Sequence, residues 1–162
     1  TYEFVVGDWS SNGCSSDLVF EADIPKTMVP LDPLWHGGQV NKEYIDQIGA
    51  RNDLPWCEMT AKIMRRTIKM AAGSRRRYAM GAGAVSPPDL LTIAVCIDPS
   101  IARFERYQVR VETQGQYTRG MTVFDRRWNR AFDENTHINQ MAVCLSADPV
   151  KYGKLLVETL VN

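Results

Sequence analysis

Seven basic residues, Lys62, Arg65, Arg66, Lys69, Arg75, Arg76 and Arg77, fall on one predicted helix and its exit, out of 19 lysines and arginines in the chain. Cations concentrated in this way suit phosphates or an acidic partner. Tyr78, directly after them, offers a ring on which a nucleobase would stack. The alternative is a solvated helix face, because the formal net charge is zero and no global field draws in nucleic acid or an anionic membrane. Arg126, Arg127 and Arg130 around Trp128 form a smaller cluster open to the same two readings. Asp32 closes an apolar run, and a carboxylate at the C-terminal end of an α/β strand sits near the usual ligand crevice. His36, shortly after it, is read as a capping or packing residue rather than a catalyst.

The cysteines, Cys14, Cys57, Cys96 and Cys144, are widely spaced and contain no C-x-x-C pair, which argues against a structural zinc site. Cys96 and Cys144 lie in apolar stretches and are expected to be buried thiols. That expectation favours a reducing, intracellular compartment. Hydrophobic residues at 44% and charged residues at 23% match an ordinary globular domain, and no apolar run is long enough to span a bilayer. The chain opens at Thr1 without an initiator Met or a signal-peptide pattern. It is therefore expected to be a processed protein or a piece of a longer one.

These residues need elements to position them. Ile24 to Asp32 reads as a buried strand. Asn41 to Ile48 reads as a short helix with Asn41 at its N-cap and Gly49 near its end. Pro55 opens a longer helix to about Ala72, in which Trp56, Met59, Ile63, Thr67 and Met70 recur at helical spacing and predict the buried stripe. Gly73 to Val85 is expected to be a loop. Pro87-Pro88-Asp89 starts a helix, apolar almost all round and so expected to be buried, which Asp98-Pro99 closes. Tyr107–Thr113 and Tyr117–Asp125 read as strands of a hairpin turning at Gly115, and Ile138–Leu145 as a third strand. Asp148-Pro149 starts a terminal helix with Val150, Leu155, Leu156, Thr159 and Leu160 on its apolar side. Strands mixed with helices indicate an α/β fold, part of a larger sheet.

Two segments carry a resemblance. Thr27-Met28-Val29-Pro30-Leu31-Asp32 and Thr118-Arg119-Gly120-Met121-Thr122-Val123-Phe124-Asp125 resemble signatures from the C-terminal half of inosine-uridine-type nucleoside hydrolases. That family cleaves the N-glycosidic bond of ribonucleosides. The resemblance runs from Glu3 to the terminal helix and implies a nucleoside-hydrolase-like mixed sheet with flanking helices, with residues 1–162 as one C-terminal half-domain.

Asp89 to Pro99 resembles a family helix that opens His-Asp-Pro and ends Ile-Asp-Pro. The match places Asp89 at a Ca²⁺-binding aspartate and Pro88 where the family has a histidine near the leaving base. A carboxylate oxygen suits a hard cation, whereas proline has no proton to give. The other reading of Asp89 is a helix N-terminal residue favourable to the dipole. Tyr2-Glu3-Phe4-Val5 resembles a Glu-Phe-Asn segment that grips ribose, with Glu3 retained and Val5 unable to make the asparagine's hydrogen bond. The family's N-terminal D-x-D-x-x-x-D-D cluster, which binds Ca²⁺ and activates water, has no counterpart in these residues.

Three functional expectations follow from the resemblance and the basic stripe. The first is a degenerate relative, inactive as an isolated chain, serving as a structural or scaffolding subunit of a larger assembly. The alternative is the C-terminal piece of an active Ca²⁺-dependent ribonucleoside N-glycosidase, completed by a partner chain that supplies the N-terminal half. The third is a binder of nucleic acid or an acidic partner through the basic stripe.

Overall fold

Proline sets many of the element boundaries in the computed structural model, which describes residues 3–5, 18–72, 83–124 and 140–162. Strand β1 is Glu3–Val5 and β2 is Lys26–Met28, with a helical stretch at 18–21 between them. The expected strand from Ile24 to Asp32 is thus only three residues long. Pro30 has no N–H for a ladder, and Pro33 sits in the first turn of a 3₁₀ helix, Asp32–Trp35. Asp32 therefore begins a helical turn instead of ending a strand.

Next come β3 (Val40–Asn41), α1 (Lys42–Gly49), α2 (Pro55–Ala72) and β4 (Ala84–Val85). The expected loop before Val85 contains β4, paired antiparallel to β3 with Val40 opposite Val85; residues 73–82 lie outside the described residues. Helix α3 (Pro88–Ile97) and a 3₁₀ turn (Pro99–Ile101) lead into β5 (Ala102–Val111). The chain continues through β6 (Thr122–Phe124), β7 (Gln140–Ala147) and α4 (Pro149–Val161). The hairpin forms as expected, with Val109 opposite Phe124 and Val111 opposite Thr122. Residues 116–120 turn, so β6 starts later than expected and β5 starts earlier.

The described strands form a mixed sheet in the order β1-β2-β7-β5-β6, parallel through β1, β2 and β7 and antiparallel at β5–β6. The chain divides into two compact units, residues 1–30 with 104–144 and residues 31–103 with 145–162. The first unit buries Phe20, Met28, Val109, Val111, Met141 and Val143. Burial alternates along β5, with Val109 and Val111 inside and Arg110 exposed, as a strand with one covered face requires.

The second unit buries Val40, Ile45, Ile48, Cys57, Ala61, Leu91, Val95, Ile101 and Tyr152. Its helices pack through small residues. A Cβ on Gly49 of α1 would meet Ala61 of α2 at 3.0 Å, and one on Gly153 of α4 would meet the Tyr44 ring at 2.2–2.6 Å. This close approach decides which face of α2 is covered. Cys57, Ala61 and Met64 are buried, while Trp56, Met59, Ile63 and Met70 are exposed, reversing the expected stripe. On α4 the buried side is Tyr152, Gly153 and Leu156, and Val150 is exposed. Helix α3 is likewise two-sided: Leu91, Ala94 and Val95 are buried, whereas Ile93 and Ile97 face out.

Side chains from around α2 satisfy carbonyls at the end of α4. Trp56 Nε1 donates to Leu160 O at 2.9 Å, Cys57 Sγ to the same oxygen at 3.1 Å, and Arg51 Nη1 to Val161 O at 2.7 Å. At the other end of α4, Asp148 accepts from the N–H groups of Val150 and Lys151 at 2.9 and 3.1 Å. This is an N-cap that answers two of the helix's unpaired donors. No helix among the described residues is long and apolar enough to cross a membrane.

Candidate functional site at the start of helix α3

Ser86-Pro87-Pro88-Asp89 leads the chain from β4 into α3. Pro87 occupies the N-cap in an extended conformation and Pro88 is the first helical residue, where a missing N–H costs nothing. Thr92 Oγ1 donates back to Pro88 O at 3.1 Å. The buried Leu91 and Val95 anchor the helix from below. Asp89 stands in the first turn with its side chain exposed.

A groove of about 410 Å³ runs between this helix start and α2. Its walls include Ile63, Met64 and Thr67 from α2, Val85 from β4, and Pro88 and Leu90 from α3. Ser86 also lines it, and the Ser86 Oγ is buried without a hydrogen-bond partner among the described residues. The lining of the groove is mainly apolar, so it suits an apolar group. Pro88 presents ring methylenes to this space, so residue 88 provides contact there but no acid. Ser86 was not anticipated from the sequence, because a single serine before two prolines carries no signal beyond that of a turn.

Asp32 and His36 flank the 3₁₀ turn of the same unit, and both are exposed. His36 does serve as a cap: its N–H donates to Pro33 O at 2.9 Å, and its carbonyl accepts from Ala147 N at 2.8 Å. Glu3 lies in β1 of the first unit, opposite Lys26 in the parallel ladder. Among the described residues no three His, Cys, Asp or Glu side chains converge as metal ligands. Calcium takes roughly six to eight oxygens, so Asp89 alone would not make a site for that ion.

The basic stripe is partly neutralised within the unit. Lys62 pairs with Glu58 one turn back, and Arg65 Nη2 donates to Asp46 of α1 at 2.9 Å. Lys42 and Arg65 together hold the Asp46 carboxyl below its ordinary pKa. Arg66 and Lys69 are exposed and form no ion pair among the described residues. Arg75, Arg76, Arg77 and Tyr78 lie outside the described residues, as do Arg126, Arg127, Trp128 and Arg130. Of the thiols expected to be buried, Cys144 is buried but Cys96 is exposed, because it falls on the outer side of α3 beside Ile93 and Ile97.

Residues 14–152 match the family model described as inosine-uridine preferring nucleoside hydrolase. The pyrimidine-specific ribonucleoside hydrolase RihA of Photobacterium profundum is 32% identical over 112 residues, covering 69% of this chain and 34% of that protein. RihA of Shewanella woodyi is 34% identical over the same shares. Among solved structures, a plant nucleoside hydrolase superposes with a TM-score of 0.67 at 18% identity, covering 91% of this chain and 44% of that one. A purine-preferring ribonucleoside hydrolase from Gardnerella vaginalis gives a TM-score of 0.67 at 21% identity, covering 91% and 43%. The matched region spans about a third of the curated relatives and under half of the solved chains, so the fold is a partial one. On the family match over most of its length, the chain belongs to the inosine-uridine preferring nucleoside hydrolases.

Proposed function

We propose that this chain is a degenerate nucleoside-hydrolase segment that contributes scaffold to a larger assembly and supplies no proton donor to a leaving base. The observation that carries this reading is Pro88. It is the first residue of α3 and lines the groove, at the position where the family resemblance puts a titratable side chain. N-glycosidic cleavage benefits from protonation of the departing base, and a pyrrolidine ring cannot provide it. What remains is an apolar wall, a surface able to hold a base and unable to activate it.

The test is ribose release from inosine and uridine with Ca²⁺ present. The chain and its Pro88→His variant are both expected to stay at the blank rate. Turnover by the unmodified chain would overturn the proposal, and turnover gained by Pro88→His alone would indicate an otherwise intact site. Native mass spectrometry of the protein purified from its source is expected to show it bound to a second polypeptide.

A second reading is supported by the relatives, which are named as ribonucleoside hydrolases and extend well beyond the matched third. Here the chain is the C-terminal part of an active Ca²⁺-dependent enzyme. Asp89 gives one oxygen to the ion, Glu3 accepts from ribose hydroxyls, and the groove wall orients the base. Bound calcium would supply charge stabilisation and a more acidic water. Adding a polypeptide that corresponds to the relatives' N-terminal part should then produce Ca²⁺-dependent ribose release. Failure of that addition removes this reading and leaves the first.

A further inference from the structure

The exposed face of α2 carries a heptad seam. Trp56, Met59, Ile63, Arg66 and Met70 alternate spacings of three and four residues, which are the a and d positions of a helix that pairs with another. The apolar members are 50–64% exposed, and Arg66 is exposed among them. Cys57, Ala61 and Met64, which hold α2 to its own unit, lie on a different side of the helix. The seam is thus a second interface pattern, separate from the one that packs α2. Trp56 is already fixed at one end of it, because its Nε1 donates to Leu160 O at 2.9 Å. A half-exposed aromatic ring held in one place is a ready anchor for a partner.

The two flanks of the seam differ. Lys62 and Lys69 follow one side, and Thr60 and Thr67 follow the other, where with Ile63 they line the groove beside α3. Glu58 engages Lys62, whereas Arg66 and Lys69 form no ion pair among the described residues. We infer that this seam is the docking site for an acidic amphipathic helix of another polypeptide. The incoming helix sets its apolar stripe on Met59, Ile63 and Met70 and its carboxylates against Arg66 and Lys69. Charge argues against a second copy of this chain in that place. In an antiparallel pair of α2 helices the lysine flanks would face each other, and in a parallel pair the Arg66 side chains would. A stripe confined to a and d is also narrower than the apolar face of a helix lying on a bilayer. The inference goes beyond the proposed function, since it holds whether or not ribose is released.

Fluorescence anisotropy of the chain with two labelled synthetic helices reads the site. Both helices carry leucine at a and d; one has glutamate along its flanks and the other lysine. Saturable binding of the glutamate helix is expected, about tenfold or more tighter than that of the lysine helix, because several flanking pairs change sign together. Met59→Glu alters a seam position outside the groove lining and is expected to weaken binding about tenfold, since it sets a carboxylate against leucines. The double variant Arg66→Glu, Lys69→Glu is expected to reverse the preference in favour of the lysine helix, an outcome that loss of folding would not produce. The substituted positions are all exposed, where such changes alter stability little. Absence of saturable binding, equal affinity for the two helices, or unchanged affinity in Met59→Glu overturns the inference. So does binding to phosphatidylserine vesicles with neither helix bound, which assigns a membrane surface, or a dimer in sedimentation that Met59→Glu dissociates, which assigns a second copy.

Discussion

Gly37 follows the 3₁₀ turn of the first signature and has φ of +94°, a backbone conformation that side-chain-bearing residues rarely adopt. A Cβ placed there would lie 1.9 Å from the Ala147 carbonyl oxygen, 2.9 Å from its carbon and 3.2 Å from Pro149 Cδ. The nearest atoms are backbone and cannot swing aside. Gly37→Ala therefore combines left-handed strain of about 1–2 kcal/mol, overpacking of about 1–3 kcal/mol and loss of the adjacent Ala147–His36 hydrogen bond, about 1 kcal/mol. The expected total is about 3–6 kcal/mol, a large part of a typical domain's stability.

Gly83 supplies the control. Its φ is +95°, yet its nearest neighbour to a Cβ would be Lys42 Cβ at 3.8 Å, so Gly83→Ala should cost only the strain, about 1–2 kcal/mol. Urea unfolding followed by far-ultraviolet circular dichroism suits the measurement, because α1 to α4 all belong to this unit. Equal destabilisation of the two variants, within about 1 kcal/mol, would refute the claim that backbone proximity at Ala147 sets the requirement for glycine.

Other substitutions test other parts of the structure. Leu91→Ala should destabilise the protein by about 2–5 kcal/mol in the same unfolding assay, whereas Ile93→Ala, on the exposed side of α3, should change it by less than about 0.5 kcal/mol. Trp56→Phe removes the donor to Leu160 O and should cost about 0.5–1.5 kcal/mol, seen as a lower urea midpoint. The N–H groups of Lys151 and Val150 hold the Asp148 carboxyl below its ordinary pKa, so its contribution is present above the unfolded value, near 4, and is lost as pH falls through the folded one. Midpoints of wild type and Asp148→Asn measured across this range should therefore differ most near neutrality and converge in acid.

Where proline punctuates the chain, the sequence was readable. The helices opening at Pro55, Pro88 and Pro149 fall within a residue of expectation, because a fixed φ and a missing N–H act locally. The hairpin and the short helix after Asn41 were legible for similar reasons. The faces of the helices were not. Spacing of large apolar residues selects a stripe, but the α1–α2 contact depends on Gly49, Cys57 and Ala61, whose value is in being small. The exposure of Cys96, Ile93 and Ile97 is likewise set by what packs on α3, which no window of sequence contains. At the candidate site, Pro88 and Asp89 were found through resemblance, whereas the groove that Pro88 lines with Ile63, Met64 and Thr67 emerges only when α2 and α3 are brought together.

The two units interleave along the chain: each is built from two segments, and a segment of one always separates the two segments of the other. No single cut separates the two units: removal of residues 1–30 breaks only the first, removal of residues 145–162 only the second, and a cut between 31 and 144 divides both. During synthesis, α1 and α2 emerge long before residues 145–162 bring Leu160 and Val161 to Trp56, Cys57 and Arg51, across separations of 103 to 110 residues. The ends of a long loop must close before those bonds repay the entropy. A nascent chain therefore carries an unfinished second unit until its final helix is released, and in that interval the exposed face of α2 and its uncovered core are what a chaperone would meet.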